Sequence, residues 1–67
     1  MSKKQINPTE FYPIDEQITC AERELTGRKR NYPAMVERGE ITEGTAFREI
    51  ELMEAILGTL KKAKSAW

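Results

Sequence analysis

The sequence predicts an all-α protein: an antiparallel helical hairpin with a Pro-broken connecting segment, assembled as an oligomeric helical bundle. Three observations predict it. Apolar residues recur at steps of three and four along two stretches, 14–25 and 46–60, which is the period of a helix and not of a strand. Helix-stop and helix-start residues, Pro33, Gly39 and Thr42, stand between the two stretches. The second stretch also carries more apolar surface than the first can cover, so further copies are needed to hide it.

The elements follow in order. Residues 1–12 read as a flexible polar lead-in, and residues 13–67 as the hairpin domain. Pro13 suits the first helical position, where no N–H is lost. Asp15 and Glu16 then occupy the first turn, where the positive end of the helix dipole favours them. Ile14, Ile18, Ala21 and Leu25 form a narrow apolar seam, and Glu24 and Arg28 form an i,i+4 pair. This places the first helix at about 13–31.

Pro33 disfavours helix at Tyr32 and cannot donate to the preceding turn. The segment "PAMVERG" can restart as one or two helical turns from Pro33, ending on Gly39 as a C-cap. A continuous but kinked helix reaching Arg38 is the competing reading. Thr42 then provides an N-cap, with Glu43 in the first turn. Ala46, Ile50, Met53, Leu57 and Leu60 continue at steps of four and three, and Lys61, Lys62 and Lys64 suit the negative end of the dipole. The second helix is placed at about 43–64. In an antiparallel pair, Trp67 returns to Phe11 and Tyr12.

The two helices are mismatched. Phe47, Leu52, Ile56 and Ala63 widen the second helix's apolar face beyond its seam, whereas the first helix offers one thin row against it. A 67-residue chain has a small core that needs a staple. Cys20 is the only cysteine and histidine is absent, so neither an intrachain disulfide nor a zinc-type ligand set can supply one. Oligomerisation, at least to a dimer, is the staple that remains. Its interface and core residues are expected to be Ile18, Leu25, Phe47, Ile50, Met53, Ile56, Leu57 and Leu60.

Composition narrows the function classes. The 11 basic and 11 acidic residues cancel, which gives no reason to expect non-specific nucleic-acid binding by the whole molecule. No apolar run approaches the ~18–20 residues that span a bilayer, and "MSKKQINPTE" has no apolar stretch behind its lysines. No membrane association and a cytoplasmic setting are therefore expected. Cys20 has no histidine to activate it. The carboxylate pairs, such as Glu51 with Glu54, lie on helices that offer little cleft for acid–base work. The reading is non-enzymatic, with no cofactor and no metal.

The densest charge is "GRKRNYP", residues 27–33. Arg28, Lys29 and Arg30 suit the last turn of a helix, where cations meet free carbonyls. Alternatively they bind an anion, a nucleotide or nucleic acid, with Tyr32 as a stacking face and Arg38 as a further charge. Here the cluster is read chiefly as a helix end, with anion binding as the second use.

The stretch from "IDEQITCAEREL" through "RNYPAMVERGEIT" to "FREIELMEAILGTL" resembles a group of short proteins encoded by bacteriophages and prophages. The shared pattern falls on Tyr32, Pro33, Val36, Gly39, Ile41, Thr42, Met53 and Ile56, within about residues 14–60. The group has no settled biochemical function. Members often carry a bulky residue where this chain has Ala34 and a basic one where it has Glu40, which weakens an anion role for that loop. The resemblance implies a viral accessory protein in the host cytoplasm. Joined to the surplus apolar surface, it suggests an oligomer that binds a host protein, with a component of host defence as one such target.

Overall fold

The computed structural model describes residues 8–66, and these are all-helical, with two helices packed against each other. Residues Pro8–Glu10 form a single 3₁₀ turn, with the N–H groups of Phe11 and Tyr12 donating to the Pro8 carbonyl at 2.9 and 3.1 Å. Helix α1 spans Ile14–Glu37 and helix α2 spans Glu43–Ala66. The expected packing of Trp67, and the lead-in before Pro8, lie outside the described residues.

Helix α1 begins one residue later than the proline pattern predicts. Pro13 is its N-cap, with φ −60° and ψ 155°, not its first helical residue. Its side chain has no oxygen to cap with. The start is held by the Pro13 carbonyl, which accepts from the N–H groups of Glu16 and Gln17, and by Gln17 Nε2, which donates to the Tyr12 carbonyl at 2.8 Å.

The predicted break at Pro33 does not occur. Helix α1 passes through it without interruption and ends at Glu37, so the proline-broken connection and the boundary near residue 31 are both corrected. A proline inside a helix removes one hydrogen bond and crowds the carbonyl four residues back, at a cost of ~3 kcal/mol. The apolar seam explains why the helix continues. Tyr32, Met35 and Val36 are half-buried, and stopping at residue 31 would expose all three. The competing reading of one long helix is the one the structure adopts.

The turn is built as the sequence predicts. Gly39 has φ +76°, its N–H donates to the Val36 carbonyl at 3.0 Å, and the Glu40 N–H donates to the Met35 carbonyl at 2.9 Å. This paired bonding is the Schellman stop, which needs a left-handed residue that glycine adopts without strain. Three residues on, Thr42 Oγ1 accepts from the Thr45 N–H at 3.0 Å and so caps α2.

The helices run antiparallel, because residues early in α1 pair with residues late in α2: Asp15 with Lys64, Glu22 with Lys61, Lys29 with Glu54. Between them lies one seam. Ala21, Met53 and Leu57 form its buried centre, with Ile18, Leu25 and Leu60 packed around them and Ala46 buried nearer the turn. This is a thin core. Four described residues are buried, two of them alanines, and none falls below 2 % exposure.

Candidate interaction surface

The seam has two edges, and they differ chemically. Along one, α1 presents Asp15, Glu22 and Lys29 at heptad spacing, and each forms an ion pair across to α2. Glu22 meets Lys61 at 3.6 Å and Lys29 meets Glu54 at 3.3 Å, and Asp15 pairs with Lys64. All six side chains are half exposed or more, so each pair contributes only ~0.2–1 kcal/mol and is screened by salt. Their joint effect is to close this edge with charge.

The other edge is open. Gln17, Cys20 and Ala21 of α1 face Met53, Ile56 and Leu60 of α2 across an apolar groove of about 610 Å³, with Tyr12 among the residues at its N-terminal end. At ~100° per residue, the row of Gln17, Cys20 and Glu24 lies about 120–180° around α1 from Asp15, Glu22 and Lys29, and Ile56 lies about 140–160° around α2 from Glu54 and Lys61. They are therefore opposite margins of one seam. Ile56 remains 46 % exposed and Tyr12 56 % exposed.

Arg28 adjoins the groove through Glu24, one of its lining residues. Its Nε bonds Glu24 Oε2 at 3.0 Å, and its Nη1 reaches across to donate to the Glu49 backbone carbonyl at 2.7 Å and to Glu49 Oε1 at 3.5 Å. The Glu24 hydrogen bond holds its guanidinium above the ordinary arginine value, against the opposing effect of burial. It stays charged across the physiological pH range.

These contacts change the reading of the charged cluster. Residues 28–30 lie well inside α1, two turns before its end, so they do not close a helix. Arg28 turns to Glu24 and Glu49, and Lys29 turns to Glu54 on the opposite edge. Arg38 sits in the cap and pairs with Glu40, its Nε 2.6 Å from Oε2, which raises the Arg38 pKa. Arg30 is exposed and forms no ion pair among the described residues. Tyr32 is half-buried on the seam near Arg28. The five residues proposed for an anion do not converge on one cradle.

The predicted interface and core residues divide into two groups. Ile18, Leu25, Met53, Leu57 and Leu60 build the hairpin's own core, and Ile50 is half-buried beside it. Phe47 and Ile56 stay outside, with Phe47 65 % exposed, as does Leu52 at 42 %. Sequence reasoning missed Tyr12, Gln17 and Cys20 as groove residues. Their signal was present but faint: Gln17, Cys20 and Glu24 form a second helical row beside the seam, and its mostly polar composition hid its apolar neighbour across the gap.

No helix among the described residues is long and apolar enough to cross a membrane. The chain matches no protein-family model, and neither the curated proteins nor the solved structures contain a match to it.

Proposed function

We propose that this chain is a non-catalytic interaction protein. It works as an oligomer, at least a dimer, and binds a host protein as a phage accessory factor in the host cytoplasm. One observation carries the reading: Phe47, Leu52 and Ile56 stand exposed on α2 although that helix packs against α1. Fully covering a side chain of this size is worth about 1.5–3 kcal/mol, comparable to what so small a core supplies. The phage context rests on the Tyr32-to-Thr42 pattern and its continuation at Met53 and Ile56.

Sedimentation equilibrium tests the self-association, with a mass at least twice 7.7 kDa expected at micromolar concentration. Capture from a bacterial lysate tests the partner. A host protein retained by the wild type and released by Phe47→Ser, with the helical content intact, is the expected result. A well-folded single-chain mass together with no Phe47-dependent capture overturns the proposal.

The competing reading, a binder of nucleotides or nucleic acid through Arg28, Lys29, Arg30, Tyr32 and Arg38, receives less support. An anion there competes with carboxylates already facing Arg28, Lys29 and Arg38. Its test is salt-sensitive retention on nucleic acid that Arg30→Ala weakens.

A further inference from the structure

Resting on the reading of this chain as an interaction protein, we propose that the groove receives a basic amphipathic helix of the partner protein. The apolar stripe of that helix lies on Met53, Ile56 and Leu60, and its lysines or arginines face α1.

Charge selects this occupant. Glu16 and Glu24 line the groove, and no described lysine or arginine does. Arg28 adjoins them, but it is shared between Glu24 and Glu49. Three carboxylates against one guanidinium leave a local negative excess, although the formal charge of the whole chain is zero. Arg23 stands about 160° around α1 from both Ala21 and Leu25, so it faces away from the seam. An acidic protein or a nucleic acid meets like charge at the groove, and so do two copies placed groove to groove. A cationic segment is attracted.

Shape selects a helix. The α1 bank supplies Glu16, Gln17, Cys20 and Glu24, whereas the α2 bank supplies Met53, Ile56 and Leu60. An occupant therefore needs a basic row beside an apolar stripe along its length. An extended peptide would leave backbone groups unpaired against the α2 bank, whose side chains offer them no partner. A helix satisfies its backbone internally and presents both rows at once. Glu16 and Glu24 are eight residues apart, about 12 Å along α1, which suits basic side chains about two turns apart on the incoming helix.

The test uses the full chain and two fluorescein-labelled amphipathic peptides of about 18 residues, one of leucine and lysine, the other of leucine and glutamate. Binding is read by fluorescence anisotropy, with circular dichroism as the folding control. The lysine peptide is expected to bind about tenfold more tightly than the glutamate peptide, or better. Glu16→Gln with Glu24→Gln is expected to weaken it about three- to tenfold, and Ile56→Ser about tenfold. Glu37→Gln with Glu51→Gln removes the same charge from exposed positions, each about 140° around its helix from Glu24 or Ile56. This control is expected to change binding less than about twofold. At about 90 % occupancy the lysine peptide is expected to slow maleimide labelling of the exposed groove residue Cys20 about tenfold.

Equal weakening by the two double variants, or a Cys20 rate that bound peptide leaves unchanged, overturns the groove as the site. A glutamate peptide that binds as tightly overturns the basic partner. Labelling that slows with protein concentration alone, while no peptide binds, puts a second copy in the groove and also overturns the proposal. Should a variant lose its helicity, the Cys20 measurement on the wild type decides. Failed peptide binding beside Phe47-dependent capture of a host protein overturns the groove proposal and leaves the interaction reading standing.

Discussion

The two edges of the seam come from the same pair of helices, yet they hold the hairpin together by different means. On the edge of Asp15, Glu22 and Lys29, long flexible side chains meet oppositely charged partners in water. On the groove edge, Arg28 is only 21 % exposed at its side chain and bonds a backbone carbonyl as well as two carboxylates. Exposed pairs select an alignment cheaply and weakly. A partly buried guanidinium bonded to a backbone carbonyl of the other helix ties the register more firmly, because losing it leaves the part-buried Glu49 carbonyl without that donor. The apolar surface of the groove has no such closure, and Ile56 stays 46 % exposed there.

Substitutions can test this contrast. Met53→Ala removes the side chain shared by the buried seam and the groove floor, and a loss of about 2–4 kcal/mol is expected in denaturant unfolding. Loss of less than ~1 kcal/mol would show that the seam contributes little. Arg28→Ala should cost about 1 kcal/mol, chiefly through the Glu49 backbone carbonyl that loses its donor. Lys29→Ala, on the ion-pair edge, should cost about 0.2–0.5 kcal/mol, and that difference should vanish at high salt. Equal effects for Arg28 and Lys29 at low and high salt alike would erase the distinction between the edges.

Much of the fold was legible in the residue order. The seam positions Ile18, Ala21 and Leu25, and Met53, Leu57 and Leu60, were readable from period alone, because a helix repeats every ~3.6 residues whatever it packs against. Gly39 and Thr42 were readable because a helix end has only a few chemical solutions. Pro33 was misread. Its local preference for a break is real, but it was weighed without the half-burial of Tyr32, Met35 and Val36 on either side of it. The cluster at Arg28 was misread for the same reason: a supposed helix end made its charges look like dipole partners, whereas they reach sideways to Glu49 and Glu54.

Two amphipathic helices, their antiparallel return and the stop and start between them follow from the amino-acid order, since each depends on neighbours within a turn or two. The passage of α1 through Pro33, the reach of Arg28 to Glu49 and the split of one seam into a charged edge and an open one arise only when the helices meet. Those features depend on the axial rotation and register of α1 against α2. Both are set by many weak contacts between residues some twenty to fifty positions apart, a sum that no short stretch of sequence contains.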